Sequence, residues 1–161
     1  MKSIIITLIL MTLVSSLTIA ADLKKLPLDD AAAIGTTIQT DLKIKTEGKG
    51  SIKITTLHPT VVCLGEVAGL DVEKAKLIYK AKVKCDLEGV AFLEMWVHIG
   101  KGQYYSRGMN DFVTKKADWK TIQTPFIFQK GQSPDKVTLN IVINGKGTVW
   151  VDAAVLSKEP L

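Results

Sequence analysis

Lys76 to Cys85 constrains the fold more than any other stretch of the chain. Leu77, Tyr79, Ala81, Val83 and Cys85 alternate there with Lys76, Lys80, Lys82 and Lys84, and Ile78 is the one exception. A period of two puts the two sets on opposite faces of a strand, so one face packs and the other meets water. The pattern recurs along the chain. Asp41 to Glu47 and Ser51 to Thr56 alternate around Gly48-Lys49-Gly50 and read as a hairpin. Val61 to Val67 is a short apolar strand after the break at His58-Pro59. Val90 to Ile99 turns through Gly100-Lys101-Gly102 into Gln103 to Arg107, and Trp119 to Phe128 carries Pro125, which suits an edge strand or a bulge. Val137 to Ile143 and Thr148 to Leu156 form a last pair around Asn144 to Gly147. Met109 to Asp118 is the least regular segment and reads as a long loop. About nine strands with turns every ~8 to 12 residues, and no amphipathic helix, predict an antiparallel β-sandwich or barrel.

The N-terminus has its own logic. One cation, Lys2, precedes the apolar run IIITLILMTLV, and small residues follow as far as Ala20 and Ala21. That three-part order predicts a secretory signal peptide over residues 1–21, cleaved near Ala20 or Ala21. An apolar run of about 11 to 14 residues is short for a bilayer, which takes about 20. The protein is therefore expected to be periplasmic or extracellular, with no stable membrane insertion. Residues 22–40 read as a loop-rich lead-in and 41–161 as one sandwich domain.

The chain is basic, with 21 Lys and Arg against 16 Asp and Glu. The cations are nearly all lysines spread through strands and turns, without a run of five, which describes a solvated surface before it describes a polyanion site. No basic patch is interleaved with aromatics in a known module, so nucleic acid is not an expected partner. Export makes a disulfide between Cys63 and Cys85 possible. A simple hairpin of their two strands would leave them roughly 17 Å apart, so a bridge requires the strands to meet across a sandwich; the alternative is two free thiols. Gly-Lys-Gly occurs three times, yet lacks the phosphate-loop spacing and a following helix, and reads as glycine supplying positive φ in three hairpin turns.

Val137 to Asp152 ends on an apolar strand, a glycine turn and the triplet Trp150-Val151-Asp152. This resembles the closing strands of galactose-binding-domain-like proteins, the jelly-roll sandwiches that include many carbohydrate-binding modules. Gly48 to Ile54 resembles their early strand, and Asp118-Trp119 the pair that opens the strand before the last hairpin. The likeness runs from about Asp41 to Leu156. It implies an all-β jelly-roll sandwich and a carbohydrate-binding function. It also implies a structural calcium near Asp152, although Ala153 stands where the family often has an acidic or amide residue. A strand-end hydrogen bond to backbone is the other reading of Asp152.

Val90 to Arg107 holds the candidate site. Ala91, Leu93, Met95, Val97 and Ile99 form a core face, while Phe92, Glu94, Trp96 and His98 face the other way, and the paired strand adds Tyr105 and Arg107. Aromatics flanked by hydrogen-bonding groups suit sugar rings, whose flat CH faces stack and whose hydroxyls fix orientation. Trp96 is the expected platform, with Glu94, His98, Tyr105 and Arg107 as flanks. The plainer reading has the Met109 to Asp118 loop, a helix or another protein covering this face, with Glu94 and Arg107 paired beneath. Trp119 and Trp150 read as core or rim aromatics. No HxH, HExxH or GxSxG pattern is present, and Glu94 has no second carboxylate at readable spacing for glycoside hydrolysis. The expected function is non-catalytic binding of a polysaccharide or envelope glycan; the alternative is an envelope domain that docks a partner protein through the same face.

Overall fold

The computed structural model describes residues 21–25 and 36–161. Apart from Ala21, the expected leader lies outside them. Seven strands are present among the described residues: β1 (Ala21–Lys25), β2 (Thr37–Asp41), β3 (Ser51–Thr56), β4 (Thr60–Ala68), β5 (Ala75–Ile99), β6 (Gly102–Phe128) and β7 (Lys136–Pro160). All pair antiparallel, in the order β2-β3-β7-β5-β6, with β1 and β4 also on β7.

Three of these strands run for 25 residues or more. Straight, each would reach about 80 Å, whereas a domain of this length is about 30 to 40 Å across. They therefore fold over together at a waist. There β5 carries two residues, Glu88 and Gly89, that find no partner on β6, Lys115 sits at φ 57°, and β5 Gly89 lies opposite β7 Gly145. A Cβ on Gly89 or Gly145 would overlap a carbonyl of the facing strand, so only glycine lets the backbones pass this closely. On one side of the waist lies a front layer of β4, β7, β5 and β6. Behind it lies a second layer of β2, β3, β7, β5 and β6, with β1 on β7. Inward residues keep odd numbering through the bend: Leu77 to Leu87 and then Ala91 to Val97 in β5 join one core with Leu139, Ile141 and Val149 of β7.

This architecture is the expected all-β antiparallel sandwich, with seven strands rather than about nine: three pairs of expected strands are continuous, and β1 is added from the stretch read as a lead-in. The third Gly-Lys-Gly is accordingly no hairpin turn: β7 continues through it as it bends, and its glycines serve the close crossing at the waist. Met109 to Asp118 is likewise strand, not loop. Its irregular sequence reflects a wide bulge, in which Gly108 to Asp111 of β6 stand opposite Leu93 alone. β6 pairs only with β5, as Pro125 required of an edge. Its free edge is stitched across the two layers, because Ser106 Oγ donates to the Pro125 carbonyl at 2.6 Å and the Gln123 N–H donates to Asp111 Oδ2 at 2.9 Å.

The first hairpin starts earlier than its alternation suggests. β2 is Thr37–Asp41, inside the stretch read as a lead-in, and Asp41 pairs with Ser51. Residues 42–50 form a loop because two carboxylates capture their N–H groups. Asp41 Oδ1 accepts from Lys43 and Ile44 at 3.0 Å each, and Asp152 Oδ2 accepts from Thr46 N–H at 2.6 Å and Glu47 N–H at 3.1 Å. Cys63 and Cys85 are free thiols on strands that do not pair: β4 and β5 each bond to β7, and the Cys85 thiol donates to the Lys115 carbonyl.

Candidate functional site

The outward face of the front layer gathers the residues singled out in the sequence. Register places Trp96 opposite Tyr105, Glu94 opposite Arg107 and His98 opposite Gln103 across β5 and β6. On the other flank, β7 sets Thr138 beside Trp96 and Asn140 beside Glu94. Beyond it β4 places Glu66 opposite Thr138. Three more sites for side chains thus come from elements distant in sequence.

Glu94 organises the centre. It is 3 % exposed, and both its oxygens are taken: Oε1 accepts from the Trp96 indole N–H at 2.7 Å and Asn140 Nδ2 at 3.3 Å, and Oε2 accepts from Arg107 Nε at 2.5 Å. It positions its neighbours, where the sequence suggested a flank that meets a ligand. The Glu94–Arg107 ion pair that belongs to the plainer, covered-face reading is present, and that hydrogen bond raises the Arg107 pKa further above its ordinary range. The Arg107 guanidinium lies 4.8 Å over the Tyr105 ring, and the Trp96 and Tyr105 rings are 5.3 Å apart at 47°. Tyr105 is 57 % exposed and Trp96 is half-buried, so the platform meets solvent mainly through Tyr105, with Trp96 partly open beside it. His98 Nδ1 lies 3.2 Å from Gln103 Nε2, and Glu66 accepts from Lys136 Nζ at 2.8 Å and Thr138 Oγ1 at 3.1 Å. Those bonds, Lys136 first, hold the Glu66 carboxyl below its ordinary pKa.

Phe92 is nearly buried at the floor of an adjoining cleft of about 510 Å³. Val61, Met109, Phe112 and Val142 line it, and Arg107 stands on the border between cleft and platform. A wider groove of about 860 Å³ at the waist is lined by Leu57, Asp86, Glu88 and three lysines, with no aromatic. It lacks the surface on which a sugar ring stacks.

No protein-family model and no curated protein matches the sequence. Solved structures do match in shape. A xylan-binding CBM22-1 domain from Paenibacillus barcinonensis Xyn10C superimposes with a TM-score of 0.61 at 14 % identity, covering 89 % of this chain and 98 % of that one. The fold is that of the carbohydrate-binding-module sandwiches. The CBM22-1–GH10 modules of Clostridium thermocellum xylanase 10B, solved with xylohexaose, give 0.60 at 10 % identity over 86 % of this chain, which spans 28 % of that one. A family 16 carbohydrate-binding module gives 0.57 at 12 % identity, over 80 % of this chain and 91 % of that one.

The calcium near Asp152 that the sequence resemblance implied does not fit the residues present. Its Oδ2 accepts three hydrogen bonds, from Thr46 N–H, Thr46 Oγ1 and Glu47 N–H, and Oδ1 accepts a fourth from Ala153 N–H at 2.8 Å. A ring of donors repels a cation, and the described residues hold no group of three or more His, Cys, Asp or Glu that could share one. Asp152 makes the backbone hydrogen bonds of the other reading, but from within β7, beside the register shift opposite Lys80 to Lys82, and not at a strand end. Trp150 is a half-buried rim aromatic whose indole N–H donates to Asp41 Oδ2 at 3.0 Å, and Trp119 is half-buried.

Proposed function

We propose that this protein is an exported, non-catalytic carbohydrate-binding module that holds a polysaccharide or envelope glycan against the outward face of β5 and β6. The observation that carries this reading is the open Trp96–Tyr105 platform, locked from below by the buried Glu94. Its place on a sandwich shared with xylan-binding modules supports the substrate class. Trp96 and Tyr105 stack sugar rings, while His98, Gln103 and the outer N–H groups of Arg107 donate to or accept from hydroxyls. In this reading Glu94 is a positioning residue: both its oxygens are already engaged, by Trp96, Asn140 and Arg107, and it holds the platform without meeting the glycan.

Tryptophan fluorescence during titration with xylan, glucomannan, β-glucan and acidic polysaccharides tests the reading. A saturable shift that survives moderate salt and disappears in Trp96→Ala is expected; retention that Trp96→Ala leaves intact on every glycan sinks it. A second reading, docking of an envelope protein on this face, draws on the exposed apolar side chains of Val61, Met109 and Phe112. Loss of partner capture from envelope extract in Phe112→Ser, with no carbohydrate retained, is what it requires.

A further inference from the structure

The front face is two surfaces joined at one residue. Around Trp96 and Tyr105 it is aromatic and rich in hydrogen-bonding groups. One step along β5, past Glu94 and Arg107, it becomes a cleft of about 510 Å³ whose lining is mainly Phe92, Val61, Met109, Phe112 and Val142. Three of these are well exposed, Met109 at 61 %, Val61 at 51 % and Phe112 at 40 %. Unsubstituted sugars do not match such a lining, because their hydroxyls would lose water without gaining partners. The cleft is nonetheless built by the strand register: the bulge at Gly108 to Asp111 sets four residues opposite Leu93 alone, three more than regular pairing, and brings Met109 and Phe112 to the cleft wall.

We infer that this apolar cleft receives a short acyl ester, such as an O-acetyl group, carried by the glycan that the neighbouring platform stacks. The inference rests on the glycan reading of the same face and narrows it to acylated polysaccharides. An acyl ester has a methyl or short alkyl end, which the cleft takes out of water, and a carbonyl oxygen, which needs a donor. Arg107 supplies the donor. Its Nε is committed to Glu94, and no further hydrogen bond of its guanidinium is made among the described residues, so the remaining N–H groups serve an acceptor at the border between cleft and platform. The cleft volume, within the ~300–1,000 Å³ usual for small-ligand sites, admits a sugar unit together with its substituent.

The test compares acetylated xylan and acetylated glucomannan with the same preparations after mild alkaline deacetylation, by affinity electrophoresis and fluorescence. Binding of at least one acetylated polymer about three- to fivefold tighter than its deacetylated form is expected, the gain from withdrawing about one methyl group from water. Phe112→Ser, and independently Met109→Ser at a more exposed position that leaves the core untouched, bring that ratio toward one. Equal affinity for both forms, or a ratio unchanged in both variants, overturns the inference; if Trp96→Ala still abolishes that binding, the glycan reading stands without it. Retention of no polysaccharide in either form overturns both.

Discussion

Burial leaves the Tyr79 hydroxyl without water, and no protein acceptor replaces it; it is the one buried side-chain polar atom among the described residues with no partner. Desolvation pushes its pKa far above the ordinary phenol range. Removing that hydroxyl costs nothing in hydrogen bonds, so Tyr79→Phe is expected to be neutral or to stabilise by about 1 kcal/mol. In thermal unfolding the midpoint should stay or rise by a few degrees, and a fall of more than about 1 kcal/mol would show an unrecognised partner. Glu94 is the opposite case. Glu94→Ala strands the Trp96 indole, Asn140 and Arg107 together, with an expected loss of about 2 to 4 kcal/mol and a red shift of Trp96 emission. The alternation of Val90 to Arg107 was enough to place all six proposed residues on one face and to pair Glu94 with Arg107. It could not show that Glu94 lies beneath the surface, because burial there depends on Asn140, a strand partner 46 residues away. The polar phase of β7, Lys136, Thr138 and Asn140, was a readable signal for this flank, yet its neighbour in space was not.

At the scale of elements, the loop over 42–50 shows how side chains overrule a strand pattern. Leu42, Ile44 and Thr46 alternate correctly, but Asp41 and Asp152 offer the N–H groups of Ile44 and Thr46 better acceptors than a ladder would. Burial by itself raises the Asp152 pKa; the hydrogen bonds from Thr46, Glu47 and Ala153 outweigh it and leave the group below the ordinary value of 3.8. A depressed carboxyl pKa adds stability that is present in full above the unfolded value and is lost as pH falls through the folded one. Asp152→Asn should therefore be less stable than the parent at neutral pH, and the gap should close below about pH 4. Urea midpoints of both proteins between neutral and about pH 3 measure this; a gap that stays constant would remove the charge from the explanation. The turn at Gly100-Lys101 was legible in the sequence because it ends a strand in both pattern and structure. The Asn144 to Gly147 segment was misleading, since glycine marks a close crossing of strands as well as a turn.

Across the whole molecule, the waist decides whether there are two layers or one long ribbon. Gly145 has φ 157°, and a Cβ there would overlap the Glu88 carbonyl oxygen. Gly145→Ala must force β5 and β7 apart at the bend that both layers share, and a loss of more than about 3 kcal/mol is expected in denaturant unfolding. A loss below about 1 kcal/mol would mean that the crossing yields easily. The topology also has a temporal side. β7 is the partner of β1, β3, β4 and β5, and among the described strands only β2 with β3 and β5 with β6 pair without it. During synthesis the most C-terminal strand emerges after every strand it must join. Until it arrives, the nascent chain can form only two separate hairpins, β2 with β3 and β5 with β6, and nothing joins them into one sheet.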